Sequence, residues 1–213
     1  MMHAYDRIYL EQARNILARM FDFAVYDLKI SLDTFFHAFI SSGMAKRFEN
    51  GDVSILAGKS GVEVAYDVLG KTYLQADYVK PRYAANRSEE YWTGWALAYY
   101  QWESALSFEE ICKYVPIHYV KALYTPFHEM DIRHFVDKMN ELYKEAKPYS
   151  NLKLRRRQVG LSQREVAEAT GIPIRTIQQY EQRQKDINKA QVDYLIRLSK
   201  TLCCEVETLV EKV

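Results

Sequence analysis

Arg175, Gln178 and Gln179 stand three and four residues apart near the C-terminal end of the chain, the spacing that places side chains on one face of a helix. Arginine can bond bidentately to O6 and N7 of guanine, and glutamine to N6 and N7 of adenine, so the trio has the chemistry of major-groove base reading. Ile174, just before it, offers apolar surface to a thymine methyl group. Gln182 extends a face rich in planar, multiply bonding groups and poor in carboxylates. Ile177 and Tyr180 fall on the opposite side and are expected to pack inward.

The elements that must hold this face are also written locally. Gly160 ends a first, basic helix, and Ser162 followed by Glu165 forms a capping box that starts a second. The inward face of that second helix reads Val166, Ala167 and Thr170. Gly171 supplies the turn, and Pro173 suits the first position of a third helix, where its missing N–H costs nothing. Two short helices joined by a glycine-containing turn of three or four residues make a helix-turn-helix.

Other motifs carry less chemistry than they suggest. Ala57-Gly58-Lys59-Ser60 ends like a phosphate-binding loop, but the earlier glycine is replaced by Val53, so a turn before a helix is expected. His128-Glu129 opens like a zinc-protease signature, yet Ile132 takes the second histidine's place and His134 is off register. Cys112, Cys203 and Cys204 are an odd count without a C-x-x-C pair, and read as small, buried, reduced thiols. Neither a metal nor a cofactor is expected. The cluster Tyr91, Trp92, Trp95, Tyr99, Tyr100 and Trp102 suits a ligand pocket or a protein-binding groove, although helical spacing favours core packing. Without paired carboxylates or a nucleophile beside a histidine, the chain is expected not to be an enzyme.

Composition sets the frame. With 213 residues, 48% of them apolar, the chain has material for one large or two small domains. No run approaches eighteen apolar residues, and Met1 to Asp6 lacks the pattern of a secretory signal, so a cytoplasmic protein away from membranes is expected. The net charge of +1 hides an asymmetry: residues 148–213 hold 12 Lys/Arg against 8 Asp/Glu, and residues 1–147 hold 17 against 20. A basic small domain beside a mildly acidic larger one suits polyanion binding by the former.

Scarce Gly and Pro, with apolar residues every three or four positions, predict an all-α protein of nine or ten helices. Helices are expected over Tyr5 to Phe23, from an N-cap at Ser31 toward Phe48, and over Gly61 to Leu69. Residues 75–87 read as a connection between subregions. Ser88-Glu89-Glu90 opens a helix carrying Trp92, Trp95, Ala96 and Tyr99, expected at the centre of the core. Helices follow over Ser107 to Tyr114, Pro116 to Tyr124 and Glu129 to Ala146, and Lys147-Pro148 marks the boundary between domains 1–147 and 148–213.

From Ser150 to Val210 the chain resembles the lambda-repressor/Cro, or XRE-type, helix-turn-helix family. The resemblance rests on Leu154 and Arg156, L-S-Q-R-E-V-A at Leu161 to Ala167, G-I-P at Gly171 to Pro173, T-I-Q-Q-Y-E at Thr176 to Glu181, and Leu195, Leu198, Leu202 and Leu209. It implies a five-helix DNA-binding domain and a transcriptional regulator, expected to act as a repressor, whose partner is double-stranded operator DNA. Ile174, Arg175, Gln178 and Gln179 match the family's base-reading positions. Gln163, with Arg164 beside it, matches a phosphate contact at a helix start, and Thr176, Arg183 and Lys185 lie where phosphate contacts are common, with Arg155 to Arg157 adding to them. The family often has glycine in the turn after Glu181, whereas Gln182-Arg183-Gln184 has none. Such modules dimerise on two half-sites, so a homodimer is expected.

Phe35 to Gly61 and Glu90 to Trp102 resemble proteins found beside ADP-ribosyltransferase-like toxins in bacterial operons, which implies an antitoxin that represses its own operon and meets its toxin through residues 1–147. The competing expectations are an enzyme or ligand sensor tethered to the DNA-binding domain, and a helix-turn-helix used only for protein contact.

Overall fold

The computed structural model describes residues 3–74, 77–82 and 86–213; Met1 and Met2 of the leader reading, and residues 75–76 and 83–85 of the connection reading, lie outside the described residues. Among the described residues the chain is helical without a strand. It divides into two compact units, Met1–Ala146 and Lys147–Val213. Lys147 belongs with the second because its side chain is buried near Glu211 and its carbonyl accepts a bond from Arg183.

In the first unit, Asp6 caps a 3-10 turn at Arg7–Tyr9, so α1 runs Leu10–Tyr26, later than the expected start at Tyr5. Ser31 caps α2, Leu32–Ser41. The stripe expected to continue to Phe48 breaks at Gly43, whose φ of +75° turns the chain into α3, Met44–Glu49. Asp52 caps the short α4, Val53–Leu56, and a Ser60/Glu63 capping box starts α5, Gly61–Gly70. Ser88 and Ser107 cap α6, Glu89–Ser104, and α7, Phe108–Tyr114. The segment expected as one helix after Pro116 is two, α8 at Ile117–Ala122 and α9 at Tyr124–Phe127, followed by α10 at Ile132–Ala146.

The centre of this unit is α1, which is buried on nearly every side, and α6 crosses it. Small residues allow the crossing: a Cβ on Gly94 would lie 2.5 Å from the Leu17 carbonyl oxygen. The α6 face that meets the core is therefore Gly94, Leu97 and Gln101, while Trp92, Trp95 and Tyr99, expected at the centre, are half-buried on another face. Indole rings are too wide for so close an approach of two backbones. A second layer is an edge-to-face cluster of Phe36, Phe39, Phe48 and Phe108.

The second unit contains α11 at Asn151–Val159, α12 at Gln163–Thr170, α13 at Ile174–Glu181, a 3-10 turn at Ile187–Lys189, α14 at Val192–Thr201 and α15 at Val206–Leu209. Leu152, Val166, Ile172, Ile177, Tyr180, Leu198, Leu202 and Leu209 form its buried core. So small a core makes the polar bridges between helices weigh heavily in its stability. No described helix is long and apolar enough to cross a membrane. The three cysteines are free thiols but not buried as expected: Cys112 and Cys204 are half-buried, and Cys203 is exposed where it closes the end of α14 at a φ of +50°.

Candidate nucleic-acid interface

The helix-turn-helix is set by its caps. Ser162 accepts the Glu165 N–H at 3.1 Å, and the Glu165 carboxylate accepts the Ser162 N–H at 2.7 Å. These bonds hold the Glu165 carboxyl below its ordinary value. Gly171, at a φ of +69°, ends α12 with its N–H on the Ala167 carbonyl at 2.9 Å. Ile172 then drops into the core, and Pro173 sits at the N-cap of α13, one position before the expected one. Ile177 and Tyr180 anchor α13 inward.

That anchoring turns the remaining polar residues two ways. Arg156 on α11 reaches Glu181 with Nε at 2.5 Å and Nη2 at 3.0 Å, and its Nη1 donates to the Leu161 carbonyl at 2.7 Å. Gln163 donates its amide to the same Glu181 carboxylate at 2.7 Å. Arg155 holds the end of α14 through the carbonyls of Leu202, at 2.9 Å, and Cys203, at 2.6 Å. Arg183 donates to the carbonyls of Lys147 and Tyr149 at 3.1 and 3.2 Å. The phosphate roles expected of Gln163, Arg155, Arg156 and Arg183 meet a physical competitor, because each of these groups already serves an internal acceptor. Of the basic run on α11, Arg157 stays exposed, stacked over Tyr149.

The other set is untied. Among the described residues, the side chains of Arg175, Gln178, Gln179 and Lys185 make no hydrogen bond or ion pair within the protein. Ile174 and Arg175 are exposed, and Gln178 and Gln179 are half-buried along the flank of α13. Arg164 is exposed and pairs with Glu168 at 3.0 Å, and Thr176 is half-buried. Sequence reading missed Lys189 and Gln191, which with Thr176 and Lys185 line a hollow of about 380 Å³ beside α13. Their signal in the sequence is faint, a lysine and a glutamine in a turn with no register of their own.

The discounted motifs have structural uses. Lys59 pairs with Asp67 while Ser60 caps α5, and His128 Nδ1 lies 3.0 Å from the Tyr124 carbonyl. Among the described residues no three His, Cys, Asp or Glu side chains converge as a metal site.

Residues 152–209 match the family model described as a helix-turn-helix, HTH_3, which is the XRE type. That segment is a DNA-binding module of the kind found in transcription regulators. No curated protein and no solved structure matches the chain.

Proposed function

We propose that the chain is a sequence-specific repressor that binds operator DNA as a homodimer and lays α13 in the major groove. The observation that carries this reading is the division of polar side chains around α13. Those facing the domain are spent on internal acceptors, whereas Arg175, Gln178 and Gln179 are left without partners on the outer face. Arg175 suits guanine, Gln178 and Gln179 suit adenine, and Ile174 suits a thymine methyl group. Arg164, Thr176, Lys185 and Lys189 lie at the margins of that face and would hold phosphates. A module of this size reads few base pairs, which is the reason for two copies on two half-sites.

For the first unit we propose a protein partner, a cognate toxin encoded beside the chain, so that the whole acts as an antitoxin repressing its own operon. We assign the chain no catalytic role. Co-purification of the neighbouring gene product tests the partner.

The DNA reading is tested by titrating the full chain onto its own upstream DNA and onto random duplex at several salt concentrations. Affinity falls steeply with salt. Replacing Arg175, Gln178 or Gln179 with Ala costs about 1–3 kcal/mol on the cognate site and far less on random DNA. Equal losses on both duplexes, or binding indifferent to salt, would end the proposal.

A further inference from the structure

Outside the DNA-binding unit, α6 and α9 enclose a cleft of about 250 Å³ lined by Arg87, Tyr91, Trp92, Trp95, Tyr124 and His128. Its walls are fixed in advance. Trp92 packs edge-on against Tyr124 and Phe135, at 5.6 and 5.3 Å between ring centres. Tyr124 stacks on His128 at 4.3 Å, and Tyr91 donates its hydroxyl to Asn15 Oδ1 at 3.3 Å. The remaining lining residue, Ser88, is committed to Asp22, as donor at 2.7 Å, and to capping α6.

The donors are another matter. Trp102 gives its indole N–H to the Tyr5 carbonyl, but among the described residues those of Trp92 and Trp95 meet no protein acceptor. Arg87 is exposed at the rim and is the one lining residue with a fixed charge; no lining residue is acidic. The carboxylates that touch lining residues are Asp22, which is occupied by Ser88 at 2.7 Å, and Glu129, 87% exposed, at 3.6 Å from His128 Nε2. Two ring faces already carry cations: Arg14 lies 3.3 Å from the centre of Trp95 and Arg87 4.8 Å from that of Tyr91. Arg14 pairs through Nη1 with Glu11 at 2.7 Å, and its Nε and Nη2, which have no hydrogen-bond partner among the described residues, belong to a guanidinium that lies against the ring. A further cation would meet an arginine at the rim and, at Trp95 and Tyr91, rings that already carry a guanidinium, whereas an electron-rich, acceptor-bearing ring would meet aromatic walls, free N–H groups and a positive charge.

We propose that this cleft binds a planar aromatic acid, a π system of one or two rings carrying a carboxylate or phosphate. The ring stacks among Tyr91, Trp92 and Tyr124, and the anionic group faces Arg87. Fixed walls spare the ligand the ordering cost that a flexible pocket exacts.

The test is calorimetry and tryptophan fluorescence on the full chain with benzoate, indole-3-carboxylate and adenosine 5′-monophosphate, against neutral indole and tetramethylammonium. At least one anionic ring saturates, the carboxylate and phosphate probes telling the two anion types apart. Arg87→Gln weakens that binding tenfold or more without moving the melting temperature, and Trp92→Phe weakens it while leaving the charge in place. The proposal is overturned by the absence of saturation at millimolar concentration with every anionic probe, by an Arg87→Gln variant that binds as well as the parent, or by preferential binding of tetramethylammonium.

Discussion

Glu181 on α13 accepts both arms of the Arg156 guanidinium from α11, and their side chains are only 1% and 12% exposed. The carboxylate also accepts from Gln163 at the start of α12, so one buried charge ties all three helices of the DNA-binding motif. The bond to Glu181 outweighs burial and holds the Arg156 guanidinium even more firmly charged than usual. Bidentate geometry is what arginine offers and lysine does not. The outward aim of Arg175 and Gln178 thus depends on a pair that never touches DNA.

Removing one partner of such a pair leaves the other charged and buried. Arg156→Ala is expected to destabilise the C-terminal unit by about 3–5 kcal/mol, and Arg156→Lys by less, since a point charge recovers part of the attraction. Urea unfolding of the full chain, followed by hydrogen exchange of Val166 and Ile177, measures both. A cost of Arg156→Ala under about 0.5 kcal/mol, the range of an ordinary surface change, would show that the pair is not structural.

Close crossing of α1 and α6 makes two glycines diverge. A Cβ on Gly94 would lie 2.5 Å from the Leu17 carbonyl oxygen and 2.8 Å from the Ala18 Cα, both backbone atoms that cannot move aside alone. Gly94→Ala should therefore cost about 1–3 kcal/mol or more. At Gly70, the last residue of α5, nothing lies within 4 Å of the added carbon. Gly70→Ala should gain about 0.4–1 kcal/mol by restricting the unfolded chain. Thermal melts of the two variants should move in opposite directions; a common direction would show that the helix crossing is looser than described.

What the sequence reveals follows from how local each signal is. Helical phase is local, so the separation of Ile177 and Tyr180 from Arg175 and Gln178 could be read directly, as could the caps at Ser31 and Ser162 and the helix starts at Ser88 and Ser107. The fates of Gln163, Arg155 and Arg183 could not, because their acceptors lie 18 to 48 residues away along the chain. The centre of the first unit was hidden for a similar reason. Trp92 and Trp95 advertise apolar area, but the crossing partner of α6 selects for the smallest side chain, Gly94, and only the position of α1 shows it.

Tyr100 is fully buried and its hydroxyl has no partner among the described residues. Burial, with a smaller push from Glu110, raises its pKa well above the ordinary phenol value, and burial does the same to Tyr5 and Tyr143. A raised acid favours the neutral form in the folded state, so its contribution is fully present below the unfolded phenol's pKa of about 10 and is lost as pH climbs past it. The first unit should therefore weaken progressively above about pH 10. Tyr100→Phe removes one ionising group and one unsatisfied hydroxyl, and should stabilise the unit by about 1–3 kcal/mol at neutral pH with a shallower alkaline decline. Melting curves from pH 8 to 11 decide it; a variant less stable than the parent at pH 8 would mean that the hydroxyl has a partner after all.

Arg183 poses the sharpest test of where phosphate contacts end and architecture begins. It adopts a φ of +56°, with its N–H on the Tyr180 carbonyl at 3.1 Å and the Gln184 N–H on the Gln179 carbonyl at 2.9 Å, so α13 closes in the paired pattern that usually employs glycine. The backbone supplies the turn that the missing glycine would have given, at a steric cost of about 1–2 kcal/mol. Its side chain braces Lys147 and Tyr149. Arg183→Ala should lose those bonds and keep the strain, whereas Arg183→Gly should lose the bonds and relieve it, so the glycine variant should be the more stable by about 1 kcal/mol. Neither should change the slope of DNA affinity against salt, because the guanidinium faces carbonyls of its own chain. A slope reduced by about one in both variants would instead identify Arg183 as a phosphate ligand in the complex, with its brace broken on binding.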